Sequence, residues 1–288
     1  LRTILHISDV HFGPPHLPRV AEGVHELAAA DRPDLVVLSG DLTQRAKPAQ
    51  FRAARAFVDR FEAPTIVVPG NHDVPMYRAW ERVLRPFGAY RRHFSEELEP
   101  VFSDEELLVV GVNTAFQWTI DHGRVTRHHL RDAAERFRQD NGGRVKILVA
   151  HHHFIPPPRF ERQKVLRNAY KAIDVFSGVG VDLILSGHKH QSYIANSEEF
   201  YPLGRPPVVI VHSGTTTSSR GRGVEREKNT CNWVRVDEDS IVISHLLWDP
   251  QLERFAEHSR HWYPRQQRQP YTLEGLEPPP GPPAHGDG

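Results

Sequence analysis

The sequence predicts an α/β fold, a four-layer αββα sandwich of two mixed β-sheets flanked by helices. Three observations carry that prediction. Short apolar runs without polar alternation recur from the first residues onward, as in strands buried on both faces. Amphipathic helical segments separate these runs, the order that builds sheets covered by helices. From Gln191 the pattern turns to β, which supplies a second group of strands. The alternation argues for one large core rather than two small ones.

Thr3–Ser8 reads as the first strand, followed by a loop rich in Pro and Gly that carries His11 and His16. A helix over about Arg19 to Ala30 shows Val20, Val24 and Leu27 on one face and stops at Asp31-Arg32-Pro33. Leu35–Ser39 is the second strand. Pro48 opens a helix reaching about Phe61, with Phe51, Ala54, Phe57, Val58 and Phe61 as its apolar stripe. Thr65–Val68 is the third strand. Between Val74 and Pro100, the aromatic and aliphatic residues Tyr77, Trp80, Val83, Leu84, Phe87, Tyr90 and Phe94 predict helices close to the site. Strands follow at Glu106–Asn113, Lys146–Ala150 and Val181–Ser186. Helices lie between them at Thr126 to Gln139, with Thr126 as a cap, and at Arg162 to Phe176. Gln191–Ala195, Val208–His212, Cys231–Val236 and Ser240–Leu247 complete the strands.

The strand ends carry the chemistry. The first strand runs into Asp9-Val10-His11 and the second into Gly40-Asp41. The third runs into Pro69-Gly70-Asn71-His72-Asp73. Ile147–Ala150 runs into His151-His152-His153, and Leu183–Ser186 into Gly187-His188-Lys189-His190. Ligands in open α/β sheets bind at such ends. Carboxylate, amide oxygen and imidazole are the donors that hard or borderline divalent ions take. Asp9, His11, Asp41, Asn71, His151 or His152, His188 and His190 suffice for two ions with one carboxylate shared. Residues i and i+2 of an extended segment point the same way, so Asp9 with His11, and His188 with His190, are each expected to present both side chains to one cluster. Any one of these pieces alone is commonplace. Five of them, all at strand ends, are not.

Composition narrows the field. Nineteen histidines in a chain of zero formal net charge point to metal or proton chemistry rather than to a nucleic-acid surface. No apolar run approaches the ~18 residues of a membrane span. Leu1 leads straight into a strand, so no secretory leader is expected. The single cysteine, Cys231, excludes an internal disulfide and suits a reducing compartment, hence a cytoplasmic location.

The motifs Asp9-Val10-His11, Gly40-Asp41, Gly70-Asn71-His72-Asp73, His151 and Gly187-His188-Lys189-His190 resemble the signature of the calcineurin-like metallophosphoesterases. Residues 6–13 (HISDVHFG), 40–43 (GDLT) and 68–75 (VPGNHDVP), with the later Ser213-Gly214-Thr215-Thr216-Thr217-Ser218, look most like the bacterial class III cyclic-nucleotide phosphodiesterases. The resemblance covers roughly residues 3 to 250. It implies a catalytic domain over 1–250; the remainder, 251–288, reads from its composition as a C-terminal extension, Pro-rich and disordered from about 266. The resemblance implies that Asp9, His11 and His190 hold a first metal ion, that Asn71, His151 and His188 hold a second, and that Asp41 bridges them. His151, first after the apolar run, matches the family's position better than His152 or His153. His72 is implied to face the phosphate as acid or charge stabiliser, held by Asp73.

The implied reaction is phosphodiester hydrolysis by a hydroxide bridging two metal ions, Mn or Fe with Zn possible, attacking in line with the leaving oxygen. The expected substrate is a small phosphodiester, foremost a 3',5'-cyclic nucleotide. Asn71, His72, Asn113 and Arg220 are candidate substrate contacts; Arg91, Arg92, His93 and His122 are further residues that could face the pocket. A lipid-linked or nucleotide pyrophosphatase, or a nuclease, would use the same metal chemistry. Lipid A enzymes of this superfamily typically carry Arg where this chain has His72, which counts against the first. A binding scaffold that has lost catalysis is the reading from another class, and such scaffolds usually lack ligands that are all present here. Oligomeric state is open, as monomer or homodimer.

Overall fold

The computed structural model describes residues 1–118, 122–140, 143–157 and 164–265. The first sheet contains β1 (Arg2–Ile7), β2 (Leu35–Leu38), β3 (Thr65–Val67), β10 (Thr230–Val236), β11 (Ser240–Asp249) and β12 (Arg254–Pro264). Its spatial order is β12-β11-β10-β1-β2-β3, with β1, β2 and β3 mutually parallel. The second sheet contains β4 (Val101–Ser103), β5 (Leu107–Val112), β6 (Val145–Ala150), β7 (Leu183–Ser186), β8 (Tyr193–Asn196) and β9 (Val209–His212). Its order is β4-β5-β6-β7-β9-β8, with a parallel centre and antiparallel edges.

The unalternating apolar runs are explained by two buried faces. In β1 and β2, Ile4, Leu35 and Val37 join a core with Val109, Ile147, Val149, Leu183 and Leu185 of the second sheet. Their neighbours Leu5, Ile7, Val36 and Leu38 point the other way. There they meet α1 (Pro18–Asp31) and α2 (Pro48–Val58) through Val20, Val24, Phe51 and Phe57. The second sheet buries Val110, Leu148 and Ile184 against α5 (Arg127–Arg138) and α6 (Ala169–Gly178) through Leu130, Phe137, Ile173 and Phe176. These are the four layers the sequence predicts. Pro48 occupies the first turn of α2, and the Thr126 hydroxyl accepts from the His129 N–H at the start of α5.

Several elements differ from expectation. The helix expected from Arg162 begins at Ala169; residues 158–163 lie outside the described residues. The Val74–Pro100 segment forms two short helices, α3 (Ala79–Leu84) and α4 (Gly88–His93). Tyr90 of α4 and Phe94 just after it are buried, but Trp80 and Leu84 of α3 are exposed. The expected boundary at residue 250 falls in a hairpin. β11 turns there into β12, which pairs with it along its length and carries the first sheet on to Pro264. Sequence pattern missed β12 because this edge strand is mostly polar and exposed, so its backbone ladder and not apolar burial specifies it. The Pro-rich tail from 266 lies outside the described residues.

Candidate metal centre

The ends of β1, β2, β3, β6 and β7 deliver Asp9, Asp41, Asn71, His151 and His188 to one place. Around Asp9, the Nε2 atoms of His11 and His190 are 3.0 Å apart, and His190 Nε2 is 3.1 Å from Asp9 Oδ1. His11 Nε2 lies 3.6 Å from Asp9 Oδ1 and 3.6 Å from Asp41 Oδ2. Around Asn71, its Oδ1 is 3.0 Å from His151 Nε2 and 2.9 Å from His188 Nδ1. The other oxygen of Asp41, Oδ1, is 3.3 Å from His151 Nε2. One carboxylate thus turns an oxygen to each donor set.

The local backbone is not extended. Asp9, His11, Asp41, His188 and His190 have φ between 44° and 81°. Left-handed conformations in non-glycine residues cost about 1–3 kcal/mol each and persist where surrounding contacts over-determine them. The i, i+2 expectation is corrected here: β1 and β7 end before the motifs, and the tight turns aim the donors. Hydrogen bonds fix the first turn. Thr215 Oγ1 donates to the Asp9 carbonyl at 2.8 Å and Thr217 Oγ1 to the Val10 carbonyl at 3.1 Å. The Thr216 N–H donates to the Ser8 carbonyl at 2.9 Å. Glycine is required at Gly70, where a Cβ would collide with the Asp41 carboxylate. At Gly40, φ is +98° and a Cβ would press on the His151 ring.

The donors suit a cation. Asp9 Oδ1 and Asp41 Oδ2 are buried with no hydrogen-bond partner, which is costly for a carboxylate unless an ion answers it. The second oxygen of each is occupied: Asp9 Oδ2 accepts from Ser8 Oγ and the His188 N–H, and Asp41 Oδ1 from the His72 N–H. Backbone carbonyls set two tautomers. His151 Nδ1 is 2.8 Å from the Ser39 carbonyl and His190 Nδ1 is 2.8 Å from the Arg220 carbonyl. A carbonyl only accepts, so each Nδ1 carries a proton and each Nε2 is the atom left to face a metal. His11 differs, since its Nδ1 is buried without a partner.

Burial alone would raise the carboxyls of Asp9 and Asp41, yet the surrounding imidazoles hold both well below the usual range. Burial would lower His151, but the charges of Asp41 and Asp9 raise it to about 9. Among the described residues, two groups of side chains could hold metal ions: Asp9, His11, Asp41 and His190, and His151, His152 and His188. His152 Nδ1 is engaged by Thr114 Oγ1 at 2.8 Å, and Asn71 Oδ1 and Asp41 Oδ1 lie beside His151 instead.

A cavity of about 300 Å³ opens over these donors, floored by Asp41, Asn71, His72, His188 and His190. Arg45, Tyr77, Arg220 and Arg222 form another part of its wall. His72 Nδ1 lies 3.0 Å from the carbonyl of Gln44. Asp73 does not hold His72. Its carboxylate accepts from the N–H groups of Leu42, Thr43 and Gly70 and from Thr43 Oγ1, at 2.9 to 3.1 Å. It fastens the β2 and β3 loops together, a role that proximity in sequence to His72 concealed. Asn113 is not part of the cavity wall either. Its Oδ1 accepts from the Ala115 N–H at 3.0 Å, closing a local turn. Arg91, Arg92, His93 and His122 are likewise absent from that wall. The residues that sequence reasoning missed are Gln44, Arg45 and Arg222. Gln44 and Arg45 directly follow Gly40-Asp41-Leu42-Thr43, the one signal that pointed to them.

An αββα sandwich with Asp, Asn and His donors gathered at its strand ends is the architecture of a metal-dependent phosphoesterase. The family model for calcineurin-like phosphoesterases matches residues 2–192. The chain belongs to the calcineurin-like phosphoesterase family and is a hydrolase of phosphoester bonds. It is 29% identical over 219 residues to a probable cyclic nucleotide phosphodiesterase of Synechococcus, covering 73% of this chain and 79% of that protein. It is 28% identical over 257 residues to a cAMP/cGMP dual specificity phosphodiesterase of Mycobacterium tuberculosis, covering 84% and 78%. In structure it is similar to a purple acid phosphatase from yellow lupin, with a TM-score of 0.67 at 10% identity over 92% of this chain. It spans about half, 54%, of the lupin chain, and that likeness concerns the fold. Among the described residues, no helix is long and apolar enough to cross a membrane.

Proposed function

We propose that this protein hydrolyses small phosphodiesters, 3',5'-cyclic nucleotides foremost, at a pair of divalent metal ions. The observation that carries the reading is Asp41, whose two carboxylate oxygens turn toward two separate donor sets. In this reading Asp9, His11 and His190 hold one ion, Asn71, His151 and His188 hold the other, and Asp41 is shared. The mixed nitrogen and oxygen donors suit Mn or Fe and admit Zn. Bound there, such ions supply Lewis acidity and lower the pKa of coordinated water.

The chain's own groups do the rest. The Gln44 carbonyl fixes the proton on His72 Nδ1, which leaves Nε2 for the cavity. Protonated there, His72 donates toward a phosphoryl or leaving oxygen and offsets the charge that builds on it. The Asn71 amide and the Asp41 carboxylate are held by the turn at Asn71–Asp73, whose own N–H groups and Asp73 tie it to the β2 loop. The names of the two relatives support a cyclic-nucleotide substrate. Cys231, buried and unpaired, accords with a cytoplasmic enzyme.

The test is a substrate screen with the Mn-loaded protein. Hydrolysis of cyclic AMP or cyclic GMP to the 5'-nucleotide, abolished by chelator, is the expected result. Turnover of nucleotide pyrophosphates with no turnover of any cyclic nucleotide would transfer the assignment to a pyrophosphatase.

A further inference from the structure

Arginines on this protein's surface are commonly paired. Arg19, Arg55, Arg60, Arg78 and Arg260 each meet a carboxylate within 2.6 to 2.9 Å. The three on the cavity wall are different. Arg220 Nη1 donates to Gln44 Oε1 at 2.8 Å, and Arg45 lies over the Tyr77 ring at 5.2 Å. Neither they nor Arg222 has a carboxylate partner among the described residues. They also repel one another.

Like charges gathered without a counter-ion destabilise a fold unless a ligand answers them. Asp9 and Asp41 are already committed to the metal centre, where two divalent ions would outweigh them. Three guanidinium groups thus line one cavity in a chain whose formal net charge is zero. A cyclic mononucleotide brings one negative charge, which the metal centre takes. Nothing on such a substrate answers the arginines. Tyr77, 75% exposed, presents an aromatic face on the same wall.

We propose that Arg45, Arg220 and Arg222 form an anion subsite beside the metal centre, and that among nucleotide phosphodiesters, cyclic ones included, those bearing a second phosphate are favoured. The subsite rests on the phosphodiesterase reading above and narrows its substrate class. Arg220 is held in place by Gln44, while Arg222, exposed, and Arg45 close on the phosphate from the rim. Charge-assisted hydrogen bonds from guanidinium to phosphate are worth about ten- to a hundredfold in affinity. The Tyr77 face stacks the base.

Two matched pairs of compounds test this. The 5'-(p-nitrophenyl) esters of thymidine 5'-phosphate and of thymidine 3',5'-bisphosphate differ only by the remote phosphate. With the Mn-loaded protein at low salt, kcat/KM is expected to be at least tenfold higher for the bisphosphate ester. Arg222→Gln should cut that advantage severalfold, Arg222→Lys should restore part of it, and Arg45→Gln with Arg222→Gln should nearly abolish it. Calorimetry with thymidine 5'-phosphate and thymidine 3',5'-bisphosphate reads the same subsite without turnover, and the difference should shrink as salt is added. Thermal unfolding of Arg222→Gln should occur at the wild-type temperature or above it, since a repelling charge is removed. Tenfold tighter binding of the bisphosphate with neither ester cleaved would keep the subsite and overturn the phosphodiesterase reading. Equal cleavage of both esters with equal binding of both nucleotides would overturn the subsite and keep that reading.

Discussion

His72 is oriented by Gln44. The imidazole Nδ1 sits 3.0 Å from the Gln44 backbone carbonyl, and the Gln44 side chain holds Arg220 with its Oε1. One residue thus ties the cavity's imidazole to its guanidinium. Because a carbonyl only accepts, Nδ1 keeps its proton whatever the state of Nε2.

His72→Ala is expected to fold normally and to keep its metal ions, because no donor to either set is lost. The rate should fall on the order of 100-fold. Comparing diesters with nitrophenolate and with alkoxide leaving groups separates the two roles of the imidazole. A smaller loss for nitrophenolate indicates proton donation to the leaving oxygen, and an equal loss indicates charge stabilisation alone. A variant that loses a metal ion would instead make His72 a ligand.

Asp73→Ala should act on stability before chemistry. It strips the acceptor from three N–H groups, those of Leu42, Thr43 and Gly70. Leaving buried donors unpaired costs roughly 1–3 kcal/mol each, so a loss of at least about 3 kcal/mol is expected in urea unfolding. Asp73→Asn retains one acceptor oxygen and should lose less.

The histidine triplet divides cleanly. His151 Nε2 lies beside both Asn71 and Asp41, so His151→Ala should bind one metal ion fewer than wild type by elemental analysis. His152 hydrogen-bonds Thr114, so His152→Ala should keep the wild-type metal content. The reverse pattern would move the ligand one residue along.

His25 gives the protein an acid-sensitive contact far from the centre. Its ring packs against Phe57 and Phe61 at 4.6 Å, and its Nε2 is buried with no partner. Burial, and then the charge of Arg60, lower its pKa to about 4, against the pull of Glu22. The unfolded chain, near 6.5, takes up the proton first. The contribution is therefore complete above about pH 6.5 and is lost as pH falls toward about 4. Allowing for solvent at the ring edge, it amounts to on the order of 1–2 kcal/mol. His6 and His212, both lowered to about 3, act with the same sign. The measurable quantity is thus a difference: urea unfolding of His25→Leu should lose less stability than wild type between pH 7 and pH 4.5.

The sequence by itself determined the layers and the polar residues that end the strands. Strands buried on both faces must be apolar throughout, so Leu35–Leu38 and Leu183–Ser186 are visible as runs. Polar residues that end such runs stand out against them, so Asp9, Asp41, Asn71, His151 and His188 could be named before any coordinates. Tertiary structure alone decided the rest. That Asp73 serves backbone amides and not His72, that Asn113 closes its own turn, and that Arg45, Arg220 and Arg222 share one wall all depend on side-chain direction across loops. Left-handed turns at Asp9, His11, Asp41, His188 and His190 set those directions, and no hydrophobic period encodes them. β12 was hidden for a related reason: an exposed edge strand is held by its ladder to β11, and a ladder is a property of two segments rather than of one.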